Sequence, residues 1–311
     1  MSVDRVSTNA QAQFMLNQIN RANVALTDAQ KQVSSGKVAN DYAGYKDKVS
    51  VLEAARSAGA RVDAYQSATQ TAITQADLQD TQITSLAGLA AQLRDALTKA
   101  VGQNDGSTLM TEAGSIFDSA AQILNSKDAN GNYIYGGENN NTPPFTATSL
   151  ANLLAAPSVA STFDNGQQKQ SVRVGDGETV QIGQLASDMG ADLMNTLKSV
   201  AAFASSSGGY GNTLTPAQSS FLGTQITSAK TAADNLNNVA AANGFTYNRL
   251  KDASDQQDSL STLYKGFVSD IEDVDMPTAV TRLNQNQVAL QAALQVTSQL
   301  HQISLLNYLN N

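Results

Sequence analysis

The sequence contains no cysteine, no tryptophan and a single histidine, His301, among 311 residues. Disulfides, thiolate nucleophiles and Cys-ligated metals are therefore excluded together. A two-histidine metal site, or a Ser-His relay with a second His, cannot be built. Charge is also scarce, at 15% of residues, where ordinary soluble domains carry roughly 25%. Ala, Ser, Thr, Asn and Gln fill the deficit. The net charge is −8 and no basic block interrupts it. A nucleic-acid surface or a surface for anionic membranes is not expected. No run approaches the ~20 apolar residues of a membrane span. Met1 to Asn20 lacks the basic region, apolar core and small-residue cleavage site of a secretory signal, so no cleaved signal is expected.

Helix breakers are absent at both ends. Residues 1–35 and 278–311 contain neither Gly nor Pro, and the five prolines fall at 143, 144, 157, 216 and 277. Pro starts or ends helices, so Pro216 and Pro277 bracket a long helical tract. Spacing agrees. Ala12, Met15, Ile19, Ala22, Leu26, Ala29 and Val33 step by three and four, as one helical stripe does. A second stripe runs Leu52, Ala55, Gly59, Val62, Gln66, Thr69, Ile73, Ala76, Asp80, Ile83, Ala87, Ala90. A third runs from Leu222 to Leu250 and resumes after a one-residue slip as Ala253, Gln257, Leu260, Tyr264, Phe267, Ile271, Val274. Such a slip overwinds a coiled coil locally without ending it. The last tract has two adjoining stripes, one through Leu283, Leu290 and Leu294, the other through Val296, Leu300 and Ile303.

Residues 46–101 would form a helix of about 84 Å and residues 217–274 one of about 87 Å. The chain thus reads short helix, long helix, middle, long helix, short helix. The expected fold is mainly α: a long antiparallel helical rod, paired terminal helices and a small β-rich insertion at the tip. Shorter helices are expected around Met110 to Leu124 and Ala186 to Phe203. In the insertion, Val172 and Val174, the turn Gly175-Asp176-Gly177-Glu178, and Val180 and Ile182 spell a hairpin. The expected domains are 1–43 with 276–311 as inner assembly helices, 44–135 with 185–275 as the rod, and 136–184 as a peripheral insertion.

The terminal tracts are too weak to be stable alone and carry apolar residues on adjoining faces. Packing of many copies would satisfy them; a bundle within one domain would also do so. The candidate assembly residues are Met15, Ile19, Leu26, Val33, Leu283, Leu290, Leu294, Val296, Leu300, Ile303 and Tyr308.

Candidates for chemistry are few. Asp128, Asn130 and Asn132 have alternating oxygens, but Gly131 and Asn139 fall where a calcium loop needs other spacing; a turn is expected. Asp270, Glu272, Asp273 and Asp275 precede Met276-Pro277 and read as helix-start carboxylates. Asn140-Asn141-Thr142 is a glycosylation sequon followed by Pro143. No phosphate loop or nucleophile elbow occurs. No catalytic residue, metal or cofactor is expected, and the chain is not expected to be an enzyme.

Several segments resemble the bacterial flagellin and hook-associated protein family. Gln32-Val33-Ser34-Ser35-Gly36-Lys37 resembles the segment after the family's first helix. Asn243-Gly244 with Asn248-Arg249-Leu250 is similar to its Gly-x-x-x-Asn-Arg-Leu region, and Ile271-Glu272-Asp273-Val274-Asp275 to the Ile-Glu-Asp-x-Asp that closes the C-terminal rod. Asn130 to Gly137, Thr142-Pro143-Pro144-Phe145 and the ending Ile303 to Leu309 resemble the member that joins hook to filament. Asp41-Tyr42-Ala43 departs from the family's usual paired Asp. Leu93-Arg94-Asp95-Ala96-Leu97 only partly resembles the flagellin segment seen by an innate immune receptor.

The resemblance implies a structural subunit of the flagellum between hook and filament, with a filament flagellin as the alternative and a secreted coiled-coil effector or translocator as a remote one. It implies copies of itself, flagellin and other hook-associated proteins as partners, with an export chaperone over the C-terminal helix. It further implies passage through the flagellar type III secretion channel to an extracellular location, with no nucleic acid bound and no membrane insertion.

Overall fold

The computed structural model describes residues 2–309, with side-chain surroundings described for residue 10, residues 13–299 and residue 302. The order is α1 (Ser2–Ser35), a 3-10 turn (Tyr42–Lys48), α2 (Val49–Gln103), α3 (Leu109–Leu124), α4 (Leu150–Ala155), a second 3-10 turn (Ala160–Thr162), β1 (Ser171–Gly175), β2 (Glu178–Gln181), α5 (Ala186–Ser206), α6 (Pro216–Glu272) and α7 (Met276–Leu309). The fold is mainly α with four long helices in the expected order and a small two-stranded sheet.

Local chemistry sets the boundaries. α1 stops where Gly36 turns left-handed at φ +71°, its N–H bonded to Gln32 O at 2.9 Å. α6 starts with a reciprocal capping box. The Gln218 N–H donates to Thr215 Oγ1 at 3.2 Å, and the Thr215 N–H donates to Gln218 Oε1 at 2.9 Å, around Pro216. Asp275 caps α7: it accepts from the Thr278 hydroxyl, and its carbonyl accepts from Ala279 N at 2.8 Å. Asp275 is thus a helix-start carboxylate, as the acidic cluster suggested. Glu272 has a different use, described below.

By its contacts the chain forms two compact units. One holds residues up to Arg61 together with those from Ser259 on; the other is Val62–Asp258. The boundaries between the two units fall inside α2 and α6.

In the Val62–Asp258 unit, a single large core joins Leu86, Leu93 and Leu97 of α2, Phe117 and Leu124 of α3, Leu193 and Val200 of α5, and Leu222 and Leu236 of α6. The middle of the chain adds Tyr135, Phe145, Leu153 and Val159, each at most 4% exposed. Phe145 packs between Phe117 and Phe163 at centroid distances of 5.9 and 5.1 Å. Residues 136–184 are therefore not peripheral. The sequence shows their turns, but their apolar residues are isolated and have no period to reveal that they are buried.

The hairpin pairs as expected, with Val172 opposite Val180. It does not lie at the ends of the long helices. Val174, Val180 and Ile182 form a second core with Ala72, Ile73 and Ala76 of α2 and Leu250 of α6, far from either end of α2. A buried polar node fixes it there: Gln257 Nε2 donates to Thr69 Oγ1 at 3.0 Å and to Val174 O at 2.6 Å.

One position of the α2 stripe is corrected. Asp80 is exposed, and Gln79 is fully buried in its place. The stripe steps from Ala76 to Gln79 to Ile83, because a neutral amide is cheaper to desolvate than a carboxylate.

Candidate assembly surface

The unit built from the two ends of the chain holds all the candidate assembly residues. α1 and α7 run antiparallel. Lys37 pairs with Asp273 as an antiparallel bridge, and further along Asn286 Nδ2 donates to Ala25 O at 3.0 Å. The α1 stripe faces the seam: Ala29 is 4% exposed, and Met15, Ile19, Ala22, Leu26 and Val33 are half-buried. From α7, Ala279 is fully buried, and Leu283, Asn286, Leu290, Ala293 and Thr297 are half-buried.

The candidate residues therefore divide. Met15, Ile19, Leu26, Val33, Leu283 and Leu290 line or border the seam within one chain. Leu294 and Val296 are outside it, 51% and 45% exposed. Leu300, Ile303 and Tyr308 lie outside the residues whose side chains are described.

Exposed apolar residues that the stripes did not single out join Leu294 and Val296. Phe14, Leu16 and Val24 on α1 are each more than half exposed, and so is Val288 on α7; Val280 is 40% exposed. Their signal in the sequence was being apolar off the three-and-four spacing. They point to several sides of each helix. A two-helix pair buries one strip of each partner, so a helix apolar on most sides needs neighbours on most sides. Each fully covered Leu, Val or Phe contributes about 1.5–3 kcal/mol.

A buried ionic node closes the unit. Glu272, 3% exposed, accepts from Lys37 Nζ at 2.8 Å on one carboxylate oxygen and pairs with the Arg56 guanidinium on the other. Main-chain bonds flank it: Val38 N–H to Glu272 O at 2.7 Å and Val274 N–H to Gly36 O at 2.9 Å. Gln32 Nε2 donates to Val38 O at 2.9 Å. The segment after α1, the start of α2 and the end of α6 are thus tied at one point. Desolvation opposes ionisation of Glu272, but the Lys37 hydrogen bond and the charges of Arg56 and Lys37 outweigh it and hold the carboxyl below its ordinary value. The hydrogen bond to Glu272 raises the Lys37 ammonium. Desolvation would lower Arg56, but Glu272 raises it on balance.

Among the described residues no three His, Asp or Glu side chains gather as metal ligands. Asp128 Oδ1 instead accepts from the main-chain N–H groups of Asn130 and Asn132, at 2.8 and 2.9 Å, as a turn residue does. Tyr135 is fully buried against Gln82, and desolvation pushes its phenol far up; Tyr210 is pushed up to about 12 for the same reason. Among the described residues no helix is long and apolar enough to cross a membrane.

Comparison with known proteins agrees with this arrangement. Residues 226–309 match the bacterial flagellin C-terminal helical region. No curated protein matches the chain. The fold is similar to that of a flagellar hook-associated protein from Vibrio parahaemolyticus, with TM-score 0.60 and 16% identity over 72% of this chain and 97% of that one. It is also similar to FlgL of Bacillus cereus, with TM-score 0.51 and 16% identity over 68% of this chain and 98% of that one. Residues 226–309 thus match the bacterial flagellin C-terminal helical region, and the fold is similar to that of flagellar hook-associated proteins.

Proposed function

We propose that this chain is a structural, self-assembling subunit of the bacterial flagellum that joins hook to filament, as hook-associated protein 3. The observation that carries the reading is the α1–α7 pair, apolar on several sides and covered on one, in a chain with the flagellin C-terminal region. On this reading residues 1–43 with 276–311 are the assembly helices and 44–135 with 185–275 support them, while the apolar residues of 136–184 pack into the supporting core. Leu294 and Val296 meet neighbouring subunits, and Leu300, Ile303 and Tyr308 are proposed as assembly residues with them.

The partners are further copies of the chain, flagellin and other hook-associated proteins. The chain is exported through the flagellar type III channel, and a chaperone covers the C-terminal helix beforehand. It catalyses no reaction and holds no cofactor.

Deletion of the gene tests the reading. The expected result is cells with hooks but no filaments, and flagellin free in the medium. Filaments of normal length in the deletion strain would overturn it. A strain that lacks filaments and also releases no flagellin would point to the filament subunit instead.

A further inference from the structure

We propose that Asn130-Gly131 is a site of spontaneous covalent modification, where the Asn130 carboxamide converts through a succinimide to aspartate and isoaspartate. The proposal is independent of the flagellar reading.

The chemistry needs only water. The main-chain nitrogen of Gly131 attacks Cγ of Asn130. As the new N–Cγ bond forms, the Gly131 N–H proton passes to the departing amide nitrogen, the Cγ–Nδ2 bond breaks and ammonia leaves. Water then opens the cyclic imide. Opening at the side-chain carbonyl leaves aspartate; opening at the main-chain carbonyl leaves isoaspartate, with the chain now running through Cγ. No electrons are gained or lost. Glycine on the C-terminal side favours the first step, because it has no Cβ to block the attack or restrict the backbone.

The chain holds three Asn-Gly pairs, at 130, 165 and 243, and the fold treats them differently. Asn130 and Gly131 are exposed in the turn between Asp128 and Asn132. Gly131 has φ +85°, and a Cβ placed on it would meet nothing within 4 Å. One main-chain bond restrains the attacking nitrogen, to Asp128 O at 3.0 Å. Bonds in exposed turns open at little cost in free energy.

The Asn165 side chain is held at both ends. Its Oδ1 accepts from Ser187 N at 3.1 Å, and its Nδ2 donates to Ser187 Oγ at 3.2 Å and Gly166 O at 2.9 Å. Gly166 is buried against Glu138, and its N–H is committed to Gly136 O at 2.8 Å. Asn243 lies inside α6, 2% exposed, with Nδ2 donating to Ala76 O at 2.9 Å. Reaction at either requires opening of packed structure.

Conversion would reshape the turn. A carboxylate at 130 would stand beside Asp128, whose Oδ1 already accepts from the main-chain N–H groups of Asn130 and Asn132. Isoaspartate would lengthen the chain between Lys127 and Tyr133, which stack with the Lys127 ammonium 4.5 Å from the ring centroid.

The test is ageing of the purified full chain at mildly alkaline pH, folded and in urea. Peptide mapping by mass spectrometry would follow it, with isoaspartyl methyltransferase labelling and Asn130→Gln as the control. In the folded chain Asn130 should convert about tenfold faster or more than Asn165 and Asn243, since local opening gates the latter two. In urea the three rates should converge, and in Asn130→Gln the early isoaspartyl signal should be lost. Equal rates in the folded chain, earlier conversion at Asn165, or conversion of Asn130 only in urea would overturn the proposal.

Discussion

The Lys37 ammonium lies 2.8 Å from a carboxylate oxygen of Glu272, 235 positions along the chain. The contact joins the Ser34-Ser35-Gly36-Lys37 segment to the Ile271-Glu272-Asp273 segment. These two segments resemble family motifs separately, and they prove to be one site.

Replacing Glu272 with Gln should destabilise the unit formed by the chain ends. It removes the charge that both cations face. Breaking a fully buried pair costs 3–5 kcal/mol, but the cations here are partly in water, 46% and 39% exposed. A loss of about 1–2 kcal/mol is expected, read from urea unfolding of the two proteins.

The same node sets a pH dependence. The folded-state pKa of Glu272 is lowered, so its stabilisation is complete above the ordinary carboxylate value of about 4.3. It is lost as pH falls through the lowered native value. Lys37 and Arg56 are raised, so their share persists at neutral pH and is lost only as pH rises through their native values. The stability difference between wild type and Glu272→Gln should be flat near neutrality and shrink below about pH 4. Unfolding midpoints across that range would check it.

Leu294→Asp should separate assembly from folding. Leu294 is half exposed outside the seam, so the monomer should unfold within about 0.5 kcal/mol of wild type. In an assembly the same side chain would be covered, and losing about 1.5–3 kcal/mol per subunit raises the critical concentration tenfold or more. Sedimentation would measure the assembly and urea unfolding the monomer. Leu290 is half-buried in the seam, so Leu290→Asp should lower monomer stability as well.

Two buried glutamines should respond oppositely to Leu. The amide atoms of Gln79 have no hydrogen-bond partner among the described residues, so Gln79→Leu should be neutral or stabilising by about 1 kcal/mol. Gln257 holds Thr69 and the hairpin carbonyl of Val174, so Gln257→Leu should cost about 1–3 kcal/mol. Thermal unfolding of the two variants would compare them.

Phe145→Ala should cost about 3–5 kcal/mol, because Phe145 is 1% exposed between two aromatic rings. A loss under about 1 kcal/mol in denaturant unfolding would restore a peripheral insertion.

What the sequence made legible was periodic or local. The helices from 49 to 103 and 216 to 272 follow from long stripes of three-and-four spacing, and the hairpin follows from alternation around Gly175 to Glu178. What it hid was aperiodic or distant. Phe145 and Leu153 have no repeat to mark them as core. Glu272 resembled its acidic neighbours until the fold set it against Lys37 and Arg56. Asp80 and Gln79 are adjacent, and both fit a three-and-four stripe; desolvation cost chose between them. The exposed Phe14, Val24 and Val288 were visible as apolar residues off the stripe, yet a search for seams passes over them.

The position of the protein on the cell tests the central claim most directly. Antibody-gold labelling of the epitope-tagged chain on intact flagella, viewed by electron microscopy, should place gold in a narrow band at the boundary between hook and filament. Gold distributed along the whole filament, or absent from the flagellum, would contradict the junction role.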